Sequence, residues 1–215
     1  MRAQPSAYDG PGHSIGDVLD GLMHDVRARS QGIDPIAAHP GHSRDILARG
    51  RVRFDTHVSR VFDRDPSDTE RAELVALYER GQKLCESPIE RNLLAALVTG
   101  DWPMCRQVLP AVHNAKDYGE PFPLNEVVII PQMTMLRFRS DLGLIVGPMY
   151  RRPLIVGIEC DGREFHQDGE RDRQRDDYFR AIGVPVIRMS GAALNIEPIA
   201  VADGIIDTVT RWVSE

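Results

Sequence analysis

The residues best suited to chemistry are Asp141, the pair Glu159-x-Asp161-Gly162, and His166. Ahead of Glu159 runs Leu154-Ile155-Val156-Gly157-Ile158, a continuous apolar stretch of the kind that forms a central strand covered on both faces. Side chains alternate along a strand, so Glu159 and Asp161 project from one face, one pleat apart. Two carboxylates at the end of a buried strand are costly unless something positive lies between them. A strand that simply emerges into solvent at Glu159 is the plainer reading, and the neighbouring residues decide between them.

A third acid follows from geometry. Leu136 to Asp141 alternates, Leu142 to Val146 continues extended, and Gly147-Pro148-Met149-Tyr150-Arg151-Arg152-Pro153 is a turn-rich connector. This is the pattern of an antiparallel hairpin with a long loop. Pairing Val146 with Leu154 sets Asp141 opposite Glu159, and directly opposed residues have Cβ atoms about 4.5–5.5 Å apart. Asp141, Glu159 and Asp161 would then converge as oxygen ligands for Mg2+ or Mn2+. A register slip of one residue would turn Asp141 to the other face.

The elements that position these groups can be traced along the chain. Residues 1–13 are rich in Pro, Gly and Ser and are expected to be mobile. Ile15, Val18, Leu19, Leu22, Met23 and Val26 are spaced for an amphipathic helix to about Arg29. His39-Pro40-Gly41-His42 reads as a turn before it reads as a ligand pair. The pattern from Arg44 to Arg64 is mixed and assigns no element. Ser67-Asp68-Thr69-Glu70 opens a helix toward Gly81, with Leu74, Leu77 and Tyr78 inward. Ser87-Pro88-Ile89-Glu90 opens the next as a capping box. Glu90 also shares a face with Leu93, Leu94 and Leu97, which turns its carboxylate inward, and both roles stay open. Asp101 to Pro123 is a loop-rich connector, and Val127 to Ile130 is a short strand.

Downstream of His166, a helix from about Glu170 to Ile182 carries Arg171, Arg175 and Tyr178 on one face, and Gly183 ends it. Arg171 and Arg175 read either as a solvated helix face or as contacts to a phosphate. Val184 to Arg188 is a strand parallel to the Glu159 strand, because a helical crossover joins them. Ile199 to Val213 reads as a closing amphipathic helix.

With 215 residues and 42% hydrophobic content, the chain is an ordinary globular protein with ample core. Its net charge of −6 argues against a broadly basic nucleic-acid coat but leaves room for a local basic strip. The cationic charge is nearly all arginine, which suits bidentate phosphate contacts. Cys85, Cys105 and Cys160 imply neither a disulfide framework nor a zinc knuckle, which points to a reducing cytoplasm. No signal peptide or membrane-spanning run is visible.

Taken together, Asp141, Glu159-x-Asp161-Gly162 and His166 resemble the PD-(D/E)xK nuclease superfamily, closest to the restriction-endonuclease-like branch that includes DUF559 proteins and very-short-patch-repair endonucleases. Ser87-Pro88-Ile89-Glu90 resembles that branch's opening helix. Pro131-Gln132 leads into the Arg139-x-Asp141 strand, and Arg171-Asp172-x-x-Arg175-Asp176 with Phe179, Gly183, Val186 and Arg188 follows the site. The resemblance covers roughly Ser87 to Arg188. In two places the chain departs from the pattern. The superfamily's lysine position falls on Asp161, and the interval from Asp141 to Glu159 is longer than the commonest spacing.

The resemblance implies an α/β fold with a restriction-endonuclease-like core: a mixed central sheet, an antiparallel hairpin carrying the site, and flanking helices. Residues 1–65 would be a helical appendage, partly mobile, and 66–215 the nuclease domain. The implied activity is Mg2+- or Mn2+-dependent hydrolysis of DNA, with Asp141, Glu159 and Asp161 on the metal. Glu90 and His166 would assist, and Gln132, Arg171 and Arg175 would lie near the phosphate. The appendage is a candidate for selecting substrate, pairing two copies as a homodimer, or shielding the site. The competing expectation is a nuclease fold that no longer cuts and binds DNA or a defence-system or toxin–antitoxin partner protein. The substituted lysine favours that alternative.

Overall fold

The computed structural model describes residues 42–103, 109–114, 126–135, 138–147, 153–161 and 169–214. The chain divides into two compact units, Met1–Ile33 and Asp34–Glu215, and all described residues belong to the second. The expected helix from Ile15 to Arg29 lies outside the described residues.

Three helices come first: α1 (His42–Phe62), α2 (Asp68–Gln82) and α3 (Pro88–Val98). Helix α1 fills the stretch whose mixed pattern assigned no element. Its buried positions, Ile46, Leu47, Gly50, Phe54, His57 and Val58, recur at helical spacing and pack against α3. Arginines interleaved on the other side blur that apolar stripe in the sequence. Gly50 is where the two helices approach, since a Cβ there would lie 2.2 Å from Thr99 Oγ1 and 2.6 Å from its Cβ. Helix α2 starts on the expected capping box, with Ser67 Oγ accepting from Glu70 N at 3.2 Å and Glu70 Oε2 accepting from Ser67 N at 2.8 Å.

The sheet is mixed, in the order β1 (Ala111–Val112), β2 (Val127–Pro131), β5 (Leu142–Val146), β6 (Leu154–Asp161), β7 (Val186–Ser190). Between β2 and β5 the chain makes a small separate ladder, β3 (Thr134–Met135) with β4 (Phe138–Arg139). The alternating stretch before Asp141 is therefore not one strand with β5. It folds back on the chain leaving β2, and Ser140 N donates to Met133 O at 2.9 Å. Strand β1, parallel to β2, lies in a stretch read from the sequence as loop.

Every residue of β2 and β5 is buried, so both faces of the sheet are covered. On one face Val128, Ile130, Met133, Met135 and Ile145 pack with Phe179 of helix α4 (Gly169–Ala181). Gly183 ends α4 at φ +71, a left-handed position that glycine takes without steric cost. The chain then enters β7 parallel to β6, as the crossover requires. A short α5 (Gly191–Ile196) and a long α6 (Pro198–Ser214) follow, and α6 packs on α3. Each fully buried Leu, Ile or Phe side chain in this core contributes about 1.5–3 kcal/mol. Among the described residues no helix is long and apolar enough to cross a membrane.

Gly50→Ala is expected to force α1 off α3 and lower unfolding stability by about 1–3 kcal/mol in urea titrations. Thr99→Ala removes two of the three nearest atoms and should return part of the loss in the double variant. An unchanged midpoint for Gly50→Ala would show that the helices are not in contact there.

Candidate active site at the end of the hairpin

The hairpin has the register that the sequence implies. Val146 pairs with Leu154, Leu144 with Val156, and Leu142 with Ile158. Ladder pairing stops at Leu142, one residue short of Asp141, but the acid is held at the end of β6 by its side chain. Asp141 Oδ2 accepts from Cys160 N at 2.7 Å. On its other side, Gln132 N donates to Asp141 O at 2.8 Å. Asp141 is thus tied to both neighbouring strands, and buried Ser140 braces the corner by donating its hydroxyl to Leu142 O at 2.9 Å.

Glu159 is 4% exposed, the burial expected of an acid on a central strand. Its Oε2 lies 3.3 Å from Arg175 Nη1 of α4, so the helix supplies the compensating positive charge. In register beside Glu159 on β7 is Arg188, which pairs with Asp176, the next residue on α4. Acids and arginines thus alternate from the sheet to α4. Arg175, read from the sequence as facing either solvent or a phosphate, meets Glu159.

Glu90 comes to the site from another element. It is 5% exposed, and three donors surround it. Its Oε2 accepts from Glu86 N at 2.8 Å and from Gln132 Nε2 at 2.7 Å, and its Oε1 accepts from Ser87 Oγ at 2.7 Å. The helix start is capped as expected at Ser87, whose Oγ accepts from Glu90 N. The returning carboxylate, however, reaches one residue further back, to the Glu86 amide. Burial raises the Glu90 pKa, with the nearby Asp141 charge adding to the rise, while its hydrogen bonds pull the other way.

Gln132 joins these parts: its backbone holds Asp141 and its amide holds Glu90. It does so at φ +55, in the left-handed region, where a residue with a Cβ carries roughly 1–2 kcal/mol of strain. The Gln132 side chain bonds an acid on α3, 42 positions away.

Two buried thiols adjoin these acids. Cys160 is held protonated by burial first, then by the negative charges of Asp141, Glu90 and Glu159. Cys85 is pushed up to about 12 by burial, with Glu90 and Asp141 adding to it. Neither is a reactive thiolate. Their shared influences mark Glu90, Asp141 and Glu159 as one electrostatic neighbourhood around Cys160. Across its edge Arg139 makes a two-armed ion pair with Glu86, both contacts 2.8 Å, exposed and therefore of modest energy.

Asp161 ends β6 in register with Ser190, but its side chain lies outside the described residues, as do His166 and the Arg171 side chain. Among the described residues no group of three or more His, Cys, Asp or Glu is arranged to hold a metal ion. The donor chemistry of Asp141 and Glu159, hard carboxylate oxygens, suits Mg2+ or Mn2+. One oxygen of Asp141 is already engaged with Cys160 N, and Glu159 is neutralised by Arg175.

The sequence did not reveal the Asp176–Arg188 pair or the bond from Gln132 to Glu90. The signal for the first was present, because Arg188 shares a parity with Glu159 once β6 and β7 are aligned. No local pattern signals the second. No family model matches the chain, and neither the curated proteins nor the solved structures return a match. What is established is a mixed α/β fold with a five-stranded mixed sheet, a separate two-stranded ladder and flanking helices.

Glu90 gives the site a pH signature. The folded protein holds its proton more tightly than the unfolded chain does, whose value is the ordinary 4.5. The stability this contributes is complete below that value and declines as pH rises through the raised one. Wild-type protein is therefore expected to lose stability relative to Glu90→Gln as urea titrations move upward from about pH 4.5. A stability difference independent of pH would show that Glu90 titrates as if in water.

Proposed function

We propose that this chain is a metal-dependent nuclease with a restriction-endonuclease-like core, hydrolysing phosphodiester bonds in DNA. The observation that carries the reading is the hairpin register, which puts Asp141 against the amide of Cys160, next in the chain to buried Glu159. The order of motifs from Ser87 to Arg188 supports the same reading.

In this reading Asp141 and Glu159, with Asp161, are the ligands for Mg2+ or Mn2+. A bound divalent ion would lower the pKa of a water nucleophile and offset charge growing on the phosphate. The protein groups do the remaining work. The Cys160 amide and the Gln132 backbone hold Asp141 in place before any cation arrives, so little ordering remains to be done. Glu90, with its raised pKa and three donors, is placed to hold or release a proton. Arg175 neutralises Glu159 while no cation is present. With a cation on Glu159, the Arg175 guanidinium would be available to a phosphate. His166 is assigned as an acid or base beyond the strand end.

A second reading has its own support. Glu159 already has a cationic partner in Arg175, and Asp161 stands where the superfamily's lysine would be. Both features fit a nuclease fold that binds DNA, or a protein of a defence or toxin–antitoxin locus, without cutting.

Turnover separates the two. Supercoiled plasmid, linear duplex and single strands incubated with Mg2+ or Mn2+ are expected to be cut by the wild-type chain. Asp141→Asn and Glu159→Gln should each lower the rate by about 100-fold or more. A wild type inactive on every substrate, yet binding DNA tightly, would establish the second reading instead.

A further inference from the structure

Helix α1 lies upstream of every motif used above, and its outer surface has no role in them. It carries Arg44, Arg49, Arg51, Arg53 and Arg60 against Asp45 and Asp55, in a chain whose net charge is −6. With the core-facing residues on one side, the opposite ridge is Asp45, Ala48, Val52, Thr56 and Ser59, all exposed, with Val52 at 69%. Arg44 and Arg51 flank the ridge on one side, and Arg49, Arg53 and Arg60 on the other.

Part of this charge is spent internally. Arg53 pairs with Asp203, Arg60 with Asp101, and Asp55 is taken by Arg71. Arg44, Arg49 and Arg51 are exposed and have no acidic partner among the described residues. Arg49 and Arg53 stand four apart, a like-charge spacing that costs a helix a few tenths of a kcal/mol (~0.2–0.5).

The buried Tyr78 hydroxyl feels Ser43 and Arg44 at the start of α1 together with Arg91 and Cys85, and the Cys85 thiol feels Glu90 and Asp141. On the outer side of α1, Arg44 and Arg51 are about 10 Å apart along the helix axis.

We infer that the outer face of α1 is a nucleic-acid docking surface, gripping the phosphate backbone through Arg44, Arg49 and Arg51 without reading bases. The low ridge lets the backbone approach the helix, and the longer arginines reach phosphates on either side. The choice of nucleic acid as the occupant rests on the nuclease reading; the charge left unpaired among the described residues does not.

The test uses the full chain and a short fluorescein-labelled DNA duplex of random sequence, with anisotropy measured across a KCl series. Replacing Arg44, Arg49 and Arg51 together by glutamine should weaken binding about tenfold or more and lower the slope of log affinity against log salt by roughly 2–3. Asp45→Asn, which removes the acid on the same face, should tighten binding. Thermal melts of both variants should match wild type, since all four side chains are exposed. Unchanged affinity and slope in the triple variant, or tighter arginine-dependent binding to anionic phospholipid vesicles than to duplex, would overturn the inference. Cleavage with arginine-independent binding would remove this surface and leave the nuclease. Arginine-dependent binding by a chain that never cuts would do the reverse.

Discussion

The register of the β5–β6 hairpin is the constraint on which the rest of the site depends. Side chains alternate with a period of two, so a slip of one residue would move Asp141 away from Glu159 and turn apolar residues of β5 to the wrong layer. The register is fixed by burial on both faces: Leu142, Leu144 and Val146 face one layer and Ile145 the other, and all are buried. Hydrophobic packing therefore positions the acid indirectly. The bond from the Cys160 amide to Asp141 then continues the alignment past the last ladder pair.

Burying carboxylates beside this hairpin creates an electrostatic problem, and the fold solves it differently at each acid. Glu159 has a guanidinium from α4, and Asp141 has a backbone amide. Glu90 has neutral donors only, the Glu86 amide, the Ser87 hydroxyl and the Gln132 amide, so its charge is solvated but not cancelled. Burial raises the Glu90 pKa, and these neutral donors bring it back only in part. The arrangement also gives a reason for the strained backbone at Gln132, since one residue must serve Asp141 through its main chain and Glu90 through its side chain.

Much of this arrangement was legible in the sequence, for identifiable reasons. The apolar run before Glu159, the turn residues after Val146 and the glycine at position 183 each have few structural interpretations, and the hairpin, the crossover helix and the parallel β7 follow from them. The break at Ser140 was not legible, because an alternating stretch looks the same whether it continues into β5 or folds back on β3. Helix α1 was hidden by arginines on its outer side, which interrupt the apolar spacing that α3 packs against. The bond from Gln132 to Glu90 joins elements 42 positions apart and leaves no trace in local pattern. Asp161 and His166 belong to the sequence motif, but the Asp161 side chain and His166 lie outside the described residues.

The account stands on the acids at the hairpin end acting together on one cation. Titrating Mn2+ into the full chain by calorimetry tests this without assuming a substrate. A saturable heat in wild-type protein that disappears in Asp141→Asn is the predicted result. No heat in wild type, or the same heat after the substitution, would contradict it.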